Sequence, residues 1–101
     1  MLHHIVMWQL KDNAEGADKA VNLAKMKQLL ESCRQLVPGI IRFDVAVSTP
    51  ELECTCDIVL NTIFESAAAL DAYQTHPHHV AMKPFIGAIR QTRQCMDYLS
   101  E

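Results

Sequence analysis

Glycine is scarce in this sequence, with three residues in 101 and no two of them close together. A loop that wraps phosphates with backbone N–H groups needs several glycines in one short run, so a nucleotide-binding loop of that kind is excluded. Positive charge is also in short supply. Nine Lys and Arg against twelve Asp and Glu leave a formal net charge of −3 and a pI near 5.9. Nucleic-acid binding needs a clustered basic face, which argues against such a partner. No stretch approaches the roughly 18 apolar residues of a membrane-spanning helix. Met1-Leu2-His3-His4-Ile5 lacks the basic region and long apolar segment of a signal peptide. The expected location is therefore cytoplasmic, with no membrane partner. There Cys33, Cys54, Cys56 and Cys95 are expected as free thiols. Cys54 and Cys56 lie one residue apart, not the two of a Cys-x-x-Cys motif, and read as small strand residues that share a face.

What is present describes a single globular domain over residues 1–101. Half the residues are hydrophobic and 21% are charged, a balance that supports a folded core. Leu2 to Leu10 reads as a strand. By alternation, Leu2, His4, Val6, Trp8 and Leu10 face one way, and His3, Ile5, Met7 and Gln9 the other. Both sets are mostly apolar, so both faces need covering. In so small a domain one of the two covers has to come from a second chain.

After a polar connection with Asp12-Asn13 turn chemistry, a helix is expected from Ala17 to Leu36. Its apolar stripe is Leu23, Met26, Leu30, Cys33 and Val37, with Asn22 outside it. Pro38-Gly39 turns the chain into a second strand, Ile40 to Val47, with Ile41, Phe43, Val45 and Val47 on one face and Arg42 and Asp44 on the other. A loop over Ser48 to Glu53 leads to a third strand, Thr55 to Phe64, in which Ile58 and Leu60 face opposite to Val59 and Ile63. Ser66 can cap a second helix, Ala67 to Gln74. Another helix is expected over His78 to Ala88, interrupted or ended near Lys83-Pro84, and a last strand over Gln91 to Leu99. The order β-α-β-β-α-β is an α+β, ferredoxin-like arrangement, an antiparallel sheet with helices on one face. Ile5, Met7, Val59 and Ile63 fall on the open face, the expected homodimer surface.

Titratable rings concentrate in Tyr73-Gln74-Thr75-His76-Pro77-His78-His79, which holds three of the five histidines. Tyr73 and His79 can present a phenol and an imidazole to one pocket across the turn at Pro77. In that arrangement His79 removes a proton next to a carbonyl and Tyr73 donates a hydrogen bond to the oxygen that gains charge. His4 shares the parity of Val6 and Trp8, so these three form a pocket wall, which Leu60 extends from the third strand. Arg93, like Arg90, can bind an anion at the pocket mouth. The spacing of His76, His78 and His79 across Pro77 does not converge them on a tetrahedral metal, so neither a metal nor a cofactor is expected.

A wider pattern joins these residues. His4-Ile5-Val6-Met7, Val37-Pro38-Gly39-Ile40, Asp57-Ile58-Val59-Leu60, Phe64-Glu65-Ser66, Tyr73, His76-Pro77, His79 and Asp97-Tyr98 follow one another along nearly the whole chain. In order and spacing they resemble the stress-responsive A/B barrel domain family. The resemblance implies a ferredoxin-like subunit whose sheet pairs with that of a second copy. One branch of that family resembles plant polyketide cyclases, in which a Tyr and a His act without a cofactor. Tyr73 and His79 match those two positions, and His4 matches a pocket-lining one. Trp8, Arg90 and Arg93 depart from the cyclases, so a long alkyl tail does not carry over. The leading expectation is a small-molecule-binding homodimer with cyclase, isomerase or lyase chemistry on a keto-type substrate. The alternatives are a non-catalytic stress-response or structural dimer and, by fold analogy, a cofactor-free monooxygenase.

Overall fold

A computed structural model describes residues 1–100. Its main sheet has four antiparallel strands: β1 (Leu2–Leu10), β4 (Ile40–Val47), β5 (Ile58–Phe64) and β6 (Arg90–Leu99), in the order β4-β5-β1-β6. Two short strands, β2 (Asn13–Ala14) and β3 (Ala17–Asp18), form a separate hairpin. The helices are α1 (Lys19–Glu31), α2 (Ala67–Thr75) and α3 (Pro77–Ile89). The architecture is the expected ferredoxin-like α+β fold.

The alternation in β1 is real. Leu2, His4, Val6, Trp8 and Leu10 are all buried, whereas His3, Ile5, Met7 and Gln9 are half-buried or exposed. The buried set packs with Ile58, Leu60 and Phe64 of β5 against Met26, Leu30, Tyr73, Met82, Ile86 and Ile89 of the helices. On the other face, Ile5 pairs with Met96 and Asn61, and Met7 with Val59 and Gln94. Ile63 pairs with His3, which stacks on Tyr98 at 4.4 Å. That face is an apolar surface without a cover in one chain. Every residue of β6 is exposed, so neither side of this edge strand is covered within the subunit.

Several boundaries differ from expectation for local reasons. The first helix is shorter than Ala17 to Leu36. Glu15 and Gly16 both adopt positive φ, 52° and 73°, which closes a tight hairpin and keeps residues 17 and 18 extended. Asp18 then caps α1 by accepting from the Val21 N–H at 3.0 Å. Beyond Glu31 the chain continues as turns, with the Cys33 N–H bonded to the Leu30 carbonyl. Asn22 is buried rather than outside the stripe, because its Nδ2 donates to the carbonyls of Ala14 (2.9 Å) and Ala17 (3.4 Å) and ties α1 to the hairpin.

Ile41 leaves its expected face because the β4–β5 register shifts between Ile40 and Arg42. Phe43 is buried as expected, but Ile41 and Val47 are exposed. β5 begins at Ile58, so Cys54 and Cys56 sit in the preceding loop rather than sharing a strand face. Gly39 adopts φ +88°, and a side chain there would meet the Ala69 Cβ at 2.9 Å; this lets α2 start against the turn into β4. α3 continues through Pro84 instead of ending there. The proline removes one hydrogen bond, to Val80, but Val80 and Pro84 both lie on the exposed side, where the carbonyl is open to solvent. Among the described residues, no helix is long and apolar enough to cross a membrane.

Candidate functional site

Between the sheet and α2–α3 lies a cleft of about 530 Å³, within the range of small-molecule sites. His4, Val6 and Trp8 of β1 and Leu60 of β5 form its floor. Gln74, Thr75, His79, Met82 and Ile86 form the helical wall, and Leu30 of α1 closes it from behind. Asp71, Lys83, Arg90 and Arg93 stand around the opening. The proposed ligand set of His4, Val6, Trp8, Leu60 and Arg93 therefore converges on one space. Trp8 is 5% exposed and floors the cleft rather than filling it. Its indole N–H is buried without a partner among the described residues.

His76 accepts from the His78 N–H through its own Nδ1. With Pro77 at the first position, this starts α3 and sets His79 one turn in, facing the cleft. The His79 pKa is pushed down from 6.5 to about 4, by burial first and then by the Lys83 ammonium, with smaller contributions from His4 and Arg93. The ring is therefore neutral at pH 7, and the Gln74 backbone beside it opposes the shift only in part. A consequence for stability follows. Between about pH 6.5 and 4 the unfolded chain protonates this His and the folded chain does not, so stability is complete above 6.5 and falls as pH drops through that window. For a half-buried ring the expected loss from pH 7 to 5 is about 1 kcal/mol. Urea unfolding should show this extra loss in wild type and not in His79→Gln.

Contrary to the reading of it as a hydrogen-bond donor to substrate, Tyr73 does not present its phenol to the cleft. Its ring packs edge-on to His79 at 4.7 Å and against Phe64 (5.3 Å) and Phe43 (6.1 Å). The residue is wholly buried and is not among the residues that line the cleft. Its hydroxyl has no hydrogen-bond partner and lies toward Cys33, and burial raises its pKa well above the ordinary phenol value. As the fold stands, this phenol buttresses His79 rather than reaching a ligand.

Asp97 is the residue that sequence reasoning missed. It lies directly opposite His4 in the β1–β6 pairing, and its Oδ1 is 2.5 Å from His4 Nδ1. A carboxylate only accepts, so Nδ1 carries the proton and Nε2 is left as the free ring nitrogen. Only the strand register reveals this pairing, since the two residues are 93 positions apart. Cys95 brings a third donor, and the three ligand atoms lie within 4.8 Å of one another. Two ligands of one tetrahedral zinc are separated by roughly 3.3 Å, so the His4–Asp97 contact has the length of a hydrogen bond and not of a shared metal. His78 is exposed, bonded to Ser32 Oγ at 2.7 Å, and away from the cleft. All four cysteines are free thiols.

Comparison with known structures agrees with the fold. A dimeric protein of unknown function with a ferredoxin-like fold from Bacteroides fragilis superposes with a TM-score of 0.81 at 27% identity, covering 98% of this chain and 95% of that one. A dimeric ferredoxin-like protein of unknown function from Thermobifida fusca gives 0.84 at 15% identity, covering 98% and 90%. An antibiotic biosynthesis monooxygenase gives 0.74 at 22% identity over 100% and 99% of the two chains, a likeness of fold alone. No curated protein matches the chain. The model of the stress responsive A/B barrel domain matches residues 2–100, and the chain belongs to that family.

Proposed function

We propose that this protein is a cytoplasmic homodimer, joined through the open sheet face, that binds a small carbonyl-bearing molecule in the cleft and moves a proton on it with His79. The observation that carries this reading is the state and place of His79, an imidazole held neutral by burial and the Lys83 ammonium in the wall of a cleft of ligand size. An unprotonated ring can take a proton from a carbon next to a carbonyl. His4, aligned by Asp97, offers its Nε2 as a second polar anchor. Val6, Trp8 and Leu60 supply the apolar contact that holds the body of the ligand. Isomerisation, cyclisation and elimination of a keto-type compound all start from that proton removal.

The test is turnover of a panel of β-keto acids and thioesters by wild type and His79→Ala, with folding checked by circular dichroism. The variant should lose at least about 10²-fold in kcat/KM. Equal rates in the two proteins would remove His79 from the chemistry. The dimeric state of the Bacteroides fragilis and Thermobifida fusca structures supports the dimer, as does the apolar row Ile5, Met7, Val59, Ile63 and Met96 on the open face.

A further inference from the structure

The rim of the cleft carries a charge opposite to that of the chain. The sequence has nine Lys and Arg in all and a net charge of −3, yet Lys83, Arg90 and Arg93 surround this one opening with only Asp71 against them. Among the described residues, none of the three is in an ion pair, so their charge is free to act on a ligand. Arg93 lies directly across from Trp8 in the β1–β6 pairing, so one cation stands at the edge of the apolar floor. We infer that the ligand of this cleft is an anion, an apolar or aromatic body that carries a carboxylate, with the carboxylate held by Arg93 and Lys83 and the body laid on Trp8, Val6 and Leu60.

The inference rests on the binding reading above and narrows its substrate class. Guanidinium and ammonium groups bind carboxylates through charge-assisted hydrogen bonds. A carboxylate is the group that discriminates most sharply here, because its ester keeps the shape and loses the charge. The electrostatics of His79 point the same way. Lys83 and Arg93 are the cations that hold its pKa down beyond the effect of burial. An anion among them offsets that field and raises the basicity of the imidazole. An anionic ligand would thus strengthen the base that acts on it, and a neutral ligand would not.

Trp8 is the sole tryptophan and lines the cleft, so its fluorescence reports occupancy. The experiment titrates phenylpyruvate and 1-naphthylacetate, each beside its methyl ester, into wild type, Arg93→Gln and Lys83→Gln. At least one acid should bind wild type at least tenfold more tightly than its ester. Arg93→Gln should erase most of that preference and leave the ester unaffected. Raising the salt from 0.05 to 0.5 M should weaken the acid and spare the ester, because the rim is open to solvent. If the esters bind as tightly as the acids, the anionic class is overturned while small-molecule binding stands. If neither acid nor ester quenches Trp8 at millimolar concentration, both this inference and the binding reading fall.

Discussion

Ile5→Asp should turn the proposed dimer into a monomer. Ile5 lies mid-strand in β1 on the open face, flanked by Met96 of β6 and Asn61 of β5. Met7, Val59 and Ile63 surround it on the same side. A two-fold axis places the same residue in both halves of the interface, so each assembled dimer would bury two carboxylates. The effective penalty is several kcal/mol per ion when no partner charge is present. The dissociation constant should therefore rise by ~10³-fold or more. Light scattering after size exclusion should show one chain per particle at micromolar concentration, where wild type shows two. Val80→Asp provides the control, since Val80 is an exposed apolar residue on α3 and takes the same charge on the opposite layer. If Ile5→Asp stays dimeric, the subunits meet somewhere other than the open face.

The second large effect separates packing from chemistry at Tyr73. Tyr73→Ala removes a ring that touches Phe43, Phe64 and His79 from a position with no exposure. A loss of about 3–5 kcal/mol is expected, as for large aromatic truncations in a core. Tyr73→Phe keeps the ring and deletes a buried hydroxyl that has no partner. Such a group costs free energy where it is, so the substitution should leave stability unchanged or raise it by about 1 kcal/mol. Chemical denaturation reads both. Because the phenol does not line the cleft, Tyr73→Phe should also keep turnover, in contrast to His79→Ala. A Tyr73→Phe protein that folds well and has lost activity would restore the phenol as a donor to substrate.

These two residues also mark how far the sequence could be read. The parity of β1 was enough to place His4, Val6 and Trp8 on the helix-facing floor and Ile5 and Met7 on the open face, because period-two alternation survives any choice of register. The places of His4, Val6, Trp8 and Leu60 on one face were legible for the same reason, and that of His79 from the Pro77 start of α3. Three things depend on geometry that no single stretch encodes. Tyr73 is adjacent to the right elements, but its hydroxyl direction follows from the packing of three aromatic rings. Asp97 meets His4 only through the pairing of the first and last strands. Ile41 is moved off its face by one inserted residue at a strand edge, and alternation cannot anticipate an inserted residue.

The pairing of β1 with β6 has a consequence for how the chain acquires this structure. β1 is a central strand, bonded to β5 on one side and to β6 on the other. Its second neighbour is made of residues 90 to 99. During synthesis at about 5–20 residues per second, some 4–16 s separate completion of β1 from the arrival of β6. Over that interval β1 has a raw edge on the side that β6 covers in the finished fold, and the Asp97 that orients His4 has not been made. Contacts between such distant segments carry a large loop-closure entropy and slow the folding of the whole domain. The His4–Asp97 pair is thus the last part of the site to be completed during synthesis. A chain cut short before β6 would contain the segments of all three helices and three of the four main strands while lacking the group that fixes its histidine.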